Sequence, residues 1–163
     1  MIKMLSFLLI LMSLPAMGQP SLPEVRKMYR AAESNRKAAE RMLEQLESVG
    51  AEEPVLLAYR ASGTMMMAKH VFSPFSKMSY FNKGKKMLQE AVDLAPDNVE
   101  IRFLRFAIQE STPGFLGYKD RMAEDKAFLL REVPKLKEGE LKGLILPFLK
   151  NSEYLSEAEK ERS

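Results

Sequence analysis

The sequence predicts an all-α protein of stacked antiparallel helical hairpins, with about seven helices. Three observations support this prediction. Apolar residues recur at helical spacing in successive segments, and prolines or glycines separate those segments. The chain also repeats weakly: Met42-Leu43, a break and an apolar helix recur as Met87-Leu88, a break and another apolar helix. Such repeats indicate helix-turn-helix units that share one continuous core.

The bulk composition is typical of one globular domain. The 163 residues are 46% hydrophobic and 29% charged, which is ordinary for a soluble protein and long enough to bury a core. The chain has no cysteine and a single histidine, His70. A disulfide, a thiol nucleophile and a lipid-modified cysteine are therefore excluded, and neither a structural zinc site nor a cofactor is predicted.

Residues 1–18 have the pattern of a cleaved signal peptide. Met1-Ile2-Lys3 is a positive start, Leu5 to Leu14 is an apolar run, and Ala16-Met17-Gly18 supplies small residues for a signal peptidase. The run is too short for a permanent membrane span, although an uncleaved anchor is the alternative. We expect a periplasmic or secreted protein with no integral membrane segment after cleavage. Residues 1–18 carry one lysine and no acid, so cleavage lowers the formal charge from +3 to +2, which does not indicate a nucleic-acid binder.

The mature chain is predicted to form a single helical domain over residues 19–155. Ser21-Leu22-Pro23-Glu24 is typical of a helix start. Ser34 can cap a second helix, which ends at Gly50. One long kinked helix is the alternative to these two helices.

Pro54 opens a third helix, which contains several small residues that allow a neighbouring helix to come close. Met65, Met66 and Met67 make this helix apolar all round, so we expect it to be central. A methionine cluster can also form a soft binding surface or a copper(I) site. Core packing is the preferred interpretation, because no cysteine accompanies the methionines and His70 lies only at the helix edge.

A basic and aromatic segment follows the third helix. The loop Val71–Lys77 contains two phenylalanines and a proline, so we expect it to fold back onto the helices. No acidic residue occurs from Lys69 to Met87. The two interpretations are a solvated helix face and a docking surface for an acidic or anionic partner. The lysines of this segment are Lys69, Lys77, Lys83, Lys85 and Lys86.

The fourth helix is predicted from Ser79 to Ala95. Pro96 ends it, because proline cannot continue the helical hydrogen-bond ladder. Asp97 or Asn98 then caps a fifth helix, predicted from Val99 to Glu110. This fifth helix is apolar on two faces, so we expect it to be largely buried.

Arg102 and Arg105 lie on one side of the apolar fifth helix. A buried charge without a partner is very costly, so both residues need partners. One interpretation is an internal salt-bridge network. The other is a clamp that lines a groove and binds an anion or a carboxylate terminus, because paired arginines suit bidentate recognition. The candidate internal partners are Asp97, Glu100, Glu124 and Asp125.

The C-terminal third contains a second special loop and two more helices. The loop Ser111–Tyr118 contains a proline and two glycines, yet is apolar enough to pack. A sixth helix is predicted from Lys119 to Glu132 and a seventh from Glu140 to Lys150. Residues 156–163 are predicted to be a polar tail, and the C-terminal segment is expected to form a last short turn before it frays.

Two segments resemble a tetratricopeptide repeat. Residues 84–98 carry the spacing of its second helix and turn, and residues 59–66 carry the aromatic, small and large pattern of its first helix. The loop between the two segments is longer than in the regular repeat. The matching residues are Tyr59, Gly63, Met66, Gly84, Leu88, Ala91 and Pro96.

Taken whole, the chain resembles uncharacterised exported helical proteins of Bacteroidota. The segments that carry this resemblance are MAKHVFSPFSKMSYFNKGKKML, PDNVEIRFLRFAIQ and PGFLGYKDRMAEDKAFLL. The resemblance implies a helical, tetratricopeptide-like domain located in the cell envelope. It implies no activity, substrate or catalytic residue.

The favoured function is a non-catalytic binding or scaffold module of the cell envelope, whose partner is a protein or peptide of acidic character. One alternative is an envelope enzyme of unknown chemistry. The sequence has no Cys–His pair, phosphate loop or metal-ligand spacing. The other alternative is a structural protein that contacts anionic lipid. The candidate partner-binding residues are Lys69, His70, Lys77, Lys83, Lys85, Lys86, Arg102, Arg105 and Tyr118.

Overall fold

A computed structural model of the protein describes residues 19–163, in which every regular element is helical. The all-α prediction is therefore confirmed. The predicted signal peptide, residues 1–18, lies outside the described residues. Within residues 19–163, no helix combines the length and the apolar composition needed to cross a membrane.

Eight α-helices make up the described chain, and two short 3-10 turns connect the later ones. The helices are α1 (Leu22–Ala32), α2 (Arg36–Gln45), α3 (Pro54–His70), α4 (Pro74–Leu94), α5 (Val99–Ser111), α6 (Met122–Glu132), α7 (Glu140–Asn151) and α8 (Glu157–Arg162). The 3-10 turns are Gly114–Leu116 and Val133–Lys135. Consecutive helices pack as pairs: α1 with α2, α3 with α4, and α5 with α6.

Capping side chains fix where the first helices and α5 begin. The Ser21 amide donates to the Glu24 carboxylate at 2.8 Å, which is one half of a capping box. The Asn35 side chain, rather than the predicted Ser34, accepts from the first turn of α2. Because Asn35 caps a new helix, α1 and α2 are separate helices and not one kinked helix. Asn98 caps α5 as predicted.

The centre of the fold is α3, which contacts α1, α2, α4 and α5. Its residues from Leu56 to Met67, Arg60 excepted, are buried all round the helix. The three methionines Met65, Met66 and Met67 belong to the hydrophobic core. The prediction that this helix is central is confirmed, and the methionines pack in the core as preferred.

The prediction that the loop Val71–Lys77 folds back onto the helices is wrong. Pro74 begins α4 instead, and the Ser73 side chain accepts a hydrogen bond from its first turn. This start is favourable because serine suits the N-cap and proline suits the first turn. The aromatic rings of this segment therefore face solvent: Phe72 is 96% exposed and Phe75 is 88% exposed.

The loop after α5 and the C-terminus also differ from the prediction. Phe115, in the first 3-10 turn, was expected to pack but is 87% exposed, whereas Tyr118 is buried. The predicted fraying tail 156–163 contains the short helix α8, which begins with a capping box at Ser156. Glu159 of α8 binds Lys126 of α6 at 2.9 Å, so this helix is attached to the domain.

Candidate ligand-binding groove

The end of α3, the first turns of α4 and the end of α5 enclose an apolar groove. We name this feature the α3–α5 groove. Its volume is about 440 Å³, which lies within the range of protein ligand sites. The 3-10 turn Gly114–Leu116 forms its remaining side. The apolar residues that line it include Met65, Met66, Met78, Phe81, Ile108 and Phe115.

Two short connections place the walls of the groove. Only three residues separate the end of α3 at His70 from the start of α4 at Pro74, so the two helix ends stay together. On the opposite side, Gly117 ends the 3-10 turn with a φ of 59°. Glycine adopts this left-handed conformation without the strain that other residues incur. The chain can therefore turn sharply and leave Phe115 beside the groove.

Exposed apolar side chains lie in the groove lining and next to it in the sequence. Phe115 and Met78 line the groove, although Phe115 is 87% exposed and Met78 is 45% exposed. Phe72 and Phe75 lie on either side of the lining residue Pro74 in the sequence, and both are highly exposed. Exposed apolar surface beside a groove is typical of interaction sites in soluble proteins.

The charge of the groove is entirely positive. Lys69, at the end of α3, and Lys77, in the first turn of α4, are the only charged residues that line it. Both side chains are exposed. Their ammonium groups therefore favour a ligand that carries negative charge beside its apolar part.

The other predicted lysines lie outside the groove. Lys83 and Lys86 are exposed on α4, and neither lines the groove. Lys85 is half-buried, with its ammonium group 5.1 Å from the centre of the Tyr118 ring. His70 is also half-buried, and its Nε2 is buried without a hydrogen-bond partner among residues 19–163.

Tyr118 supports the groove from behind. Its buried ring packs edge-on against Phe81, with 5.7 Å between the ring centroids, and Phe81 lines the groove. The Tyr118 hydroxyl has no hydrogen-bond partner within residues 19–163. Burial raises the pKa of Tyr118 to about 12. Tyr118 therefore supports a wall and does not itself offer a free surface to a partner.

Arg102 and Arg105 are engaged in internal salt bridges. Arg105 donates to both oxygens of Asp125, at 2.6 Å from Nε and 2.8 Å from Nη2. Arg102 also donates to Asp125 through Nε, to Glu124 at 2.8 Å and to the Pro96 carbonyl at 3.0 Å. The structure thus matches the internal-network interpretation, with two of the four predicted carboxylates as the partners.

A second buried network contains Glu100, which sequence reasoning had considered as a partner for the arginines of α5. Its carboxylate instead accepts two hydrogen bonds of 2.8 Å from Arg26 and one of 2.6 Å from the Tyr59 hydroxyl. Sequence reasoning missed Arg26, which lies on α1 far away in the chain. The network joins α1, α3 and α5 in the N-terminal halves of α3 and α5, whereas the groove is lined by their C-terminal halves.

A second cavity of about 530 Å³ adjoins the groove. The two share Met66, Lys69, Ile108 and Ser111 as lining residues. The second cavity also contacts α1 and α7, and it includes the carboxylates of Glu33 and Glu110. Lys69 therefore lines both the groove, whose charged residues are all positive, and a cavity whose charged residues are of both signs.

The described residues form no candidate metal site, and the comparisons with known proteins identify no relative. Among residues 19–163, no three His, Asp or Glu side chains are grouped in a way that could hold a metal ion. Comparisons of the chain with protein-family models, with curated proteins and with solved structures found no match. Function is therefore inferred from the chemistry of the groove itself.

Proposed function

We propose that the chain is a non-catalytic binding module, exported to the cell envelope, that holds a protein or peptide segment in the α3–α5 groove. The observation that carries this proposal is the groove itself. It has an apolar lining that includes the exposed Phe115, and two lysines are its only charged residues. Helical domains commonly bind protein segments in such concave surfaces.

The exposed aromatic surface favours a protein partner over a small molecule. A small ligand in the groove would leave Phe72 and Phe75 in water, because neither residue lines the cavity. A protein segment could fill the groove and also cover these rings. Each aromatic ring removed from water contributes favourably to binding.

A non-catalytic role is proposed because the groove lacks the groups that enzymes assemble. Its lining contains no carboxylate and no histidine, so no general base is in place. Its hydroxyl groups are Ser111 and Thr112, which donate to carbonyl oxygens of their own helix at 2.9 Å and 2.6 Å. Neither hydroxyl is paired with a base, as a serine or threonine nucleophile would require.

Export to the periplasm or the medium remains part of the proposal and rests on residues 1–18. The positive start, the apolar run and the small residues before Gln19 form a signal-peptide pattern. Fractionation of cells that express the full chain tests it. We expect the protein in the periplasm or medium with Gln19 at its N-terminus, and a variant without residues 2–18 should stay inside the cell. Cytoplasmic retention of the full chain would contradict export.

Site-specific photo-crosslinking in living cells tests the binding function. A photoreactive amino acid replaces Phe75 or Phe115 at the groove, and Ala127, which is exposed on α6, is the control position. We expect a discrete protein adduct from Phe75 and Phe115 but not from Ala127. The same adducts from all three positions, or none from the groove, would count against the proposal.

An anionic lipid surface is the second candidate, because exposed phenylalanines beside lysines also suit a membrane interface. Phe72 and Phe75 lie between Lys69 and Lys77 in the sequence. Sedimentation of the mature protein with phosphatidylglycerol vesicles at low and high salt distinguishes the two candidates. Salt-sensitive binding to vesicles, together with the absence of a protein adduct in cells, would favour anionic lipid over a protein as the ligand.

A further inference from the structure

The buried part of the α3–α5 groove lining offers few free hydrogen-bonding groups. Its apolar residues lie inside α-helices, where backbone N–H and C=O groups are paired, whereas unpaired backbone groups remain at the helix ends around the groove. These buried residues are Met65, Met66, Phe81 and Ile108. The Thr112 hydroxyl donates to the Ile108 carbonyl at 2.6 Å, and the Ser111 hydroxyl donates to the Ala107 carbonyl at 2.9 Å. The side-chain donors that remain in the lining are the ammonium groups of Lys69 and Lys77. The groove is therefore apolar with two positive charges, and it has no strand edge.

This chemistry restricts the conformation of a bound protein segment. An extended peptide would bring its own backbone N–H and C=O groups against this buried lining, where they would find few partners. Each unpaired buried group costs free energy comparable to a lost hydrogen bond. Strand addition needs a free sheet edge, which residues 19–163 do not provide. A helical segment avoids this cost because it pairs its backbone internally.

We propose that the segment bound in the α3–α5 groove is an amphipathic α-helix with acidic residues beside its apolar stripe. This inference rests on the proposed binding function and names the class of partner. Apolar side chains at positions i, i+3 or i+4, and i+7 enter the groove, which spans roughly two helical turns of ligand. Acidic side chains on the flank of that stripe meet Lys69 and Lys77.

The charged residues around the groove also determine on which side the acidic residues of the bound helix lie. Glu33, Glu110 and Arg30 line the second cavity, to which α4 contributes no residue. Arg30 offsets only one of the two carboxylates there, whereas no acidic residue occurs from Lys69 to Met87 to repel an acidic ligand. The acidic residues of the ligand therefore lie toward Lys77 and the first turns of α4.

An unbiased peptide selection tests this inference. Mature protein, residues 19–163, is immobilised and exposed to a display library of random peptides of about 16 residues, or roughly 24 Å of helix. We expect enriched peptides to be acidic, to carry apolar residues at helical spacing, and to gain helical circular dichroism on binding. A synthetic copy of the most enriched peptide is then compared with a copy that contains proline in its centre.

Two charge-reversal variants locate the site. Lys69→Glu/Lys77→Glu changes the groove, and Lys83→Glu/Lys86→Glu makes the same change on exposed α4 positions outside it. We expect the first variant to weaken peptide binding by roughly tenfold or more and the second by less than about threefold. All four lysines are exposed, and thermal unfolding confirms that each variant is folded.

The possible outcomes separate this inference from the proposed function. Enriched peptides that are basic, proline-rich, or bound equally well with a central proline would overturn the helical, acidic partner but leave a peptide-binding groove. Equal losses in the two charge-reversal variants would remove the assigned role of Lys69 and Lys77. Failure to enrich any peptide would overturn both the inference and the proposed protein-binding function.

Discussion

Arg105 and Asp125 form a bidentate ion pair that is almost completely withdrawn from solvent. The arginine Nε and Nη2 atoms donate to the two carboxylate oxygens at 2.6 Å and 2.8 Å. Asp125 has no exposed surface, and Arg105 is 3% exposed. Arg102 donates to the same carboxylate, so one aspartate of α6 binds two arginines of α5, and Glu124 supplies the second negative charge. This arrangement joins the two helices and leaves neither arginine available to a ligand.

Removal of the Asp125 charge should be strongly destabilising. Asp125→Asn keeps the shape of the side chain but leaves two buried arginines with only the half-exposed Glu124 nearby. We expect the free energy of unfolding to fall by about 3–5 kcal/mol, measured by urea denaturation. The matched change Glu124→Gln affects an exposed carboxylate and should cost less than about 1 kcal/mol. Similar losses in both variants would contradict the central role of Asp125.

The Glu100 network should also stabilise the fold, by tying α1 to α3 and α5. Glu100→Gln removes the charge that faces Arg26, so we expect a loss of about 3 kcal/mol in the free energy of unfolding. Tyr59→Phe removes one hydrogen bond to the carboxylate and keeps the ring, so about 1.5 kcal/mol should be lost. Thermal and urea unfolding measure both variants. A larger loss for Tyr59→Phe than for Glu100→Gln would show that the ion pair with Arg26 contributes little.

At Gly84, α4 packs closely against α3. A Cβ atom added at Gly84 would lie 2.7 Å from the Ala61 carbonyl oxygen and would also meet Met65 Cγ. Gly84→Ala should therefore destabilise the fold by about 1–3 kcal/mol through overpacking. Gly143, inside α7, is the control because an added Cβ there meets no atom within 4 Å. Gly143→Ala should raise stability by up to about 1 kcal/mol, and equal effects at both glycines would refute close packing at Gly84.

Alkaline pH should destabilise the protein through its buried tyrosines. Burial raises the pKa of Tyr118 to about 12 and also raises the pKa of Tyr29. In the unfolded chain these hydroxyls ionise near pH 10. Between about pH 10 and pH 12 the unfolded state therefore loses protons first, and stability falls as the pH rises.

Tyr118→Phe isolates one of these groups. Its hydroxyl has no hydrogen-bond partner among residues 19–163, so its removal should change stability little at neutral pH. Above about pH 10, the variant should lose stability more slowly than the wild type, by up to about 1.4 kcal/mol per pH unit. Urea denaturation at several pH values measures both slopes. Parallel curves for wild type and variant would contradict a raised pKa at Tyr118.

Much of the fold could be predicted from local sequence patterns. Helical periodicity predicted the helices, and Pro96 and Asn98 correctly marked the boundary between α4 and α5. The candidate partners of the two arginines included Asp125 and Glu124, which the structure shows to bind them. These features depend on neighbours in sequence or on the rule that buried charges are paired.

The parts that could not be predicted depend on where distant elements meet. The Glu100 network needs Arg26 from α1, and no sequence pattern joins those positions. The apolar segment around Phe72 and Phe75 was expected to be buried, but the start of α4 at Pro74 turns it outward. Five lysines were candidates, yet only Lys69 and Lys77 line the groove, because its other walls come from α5 and the turn at Phe115.

The most direct test of the binding groove uses the methionine methyl groups as reporters. Mature protein labelled with ¹³C at these methyls is titrated with the most enriched acidic peptide and followed by NMR. We expect the signals of Met65, Met66 and Met78 to shift, because these residues line the groove. The signals of Met42 and Met122, which lie elsewhere in the core, should stay in place. Shifts confined to Met42 or Met122, or no shift at saturating peptide, would contradict a binding site in the α3–α5 groove.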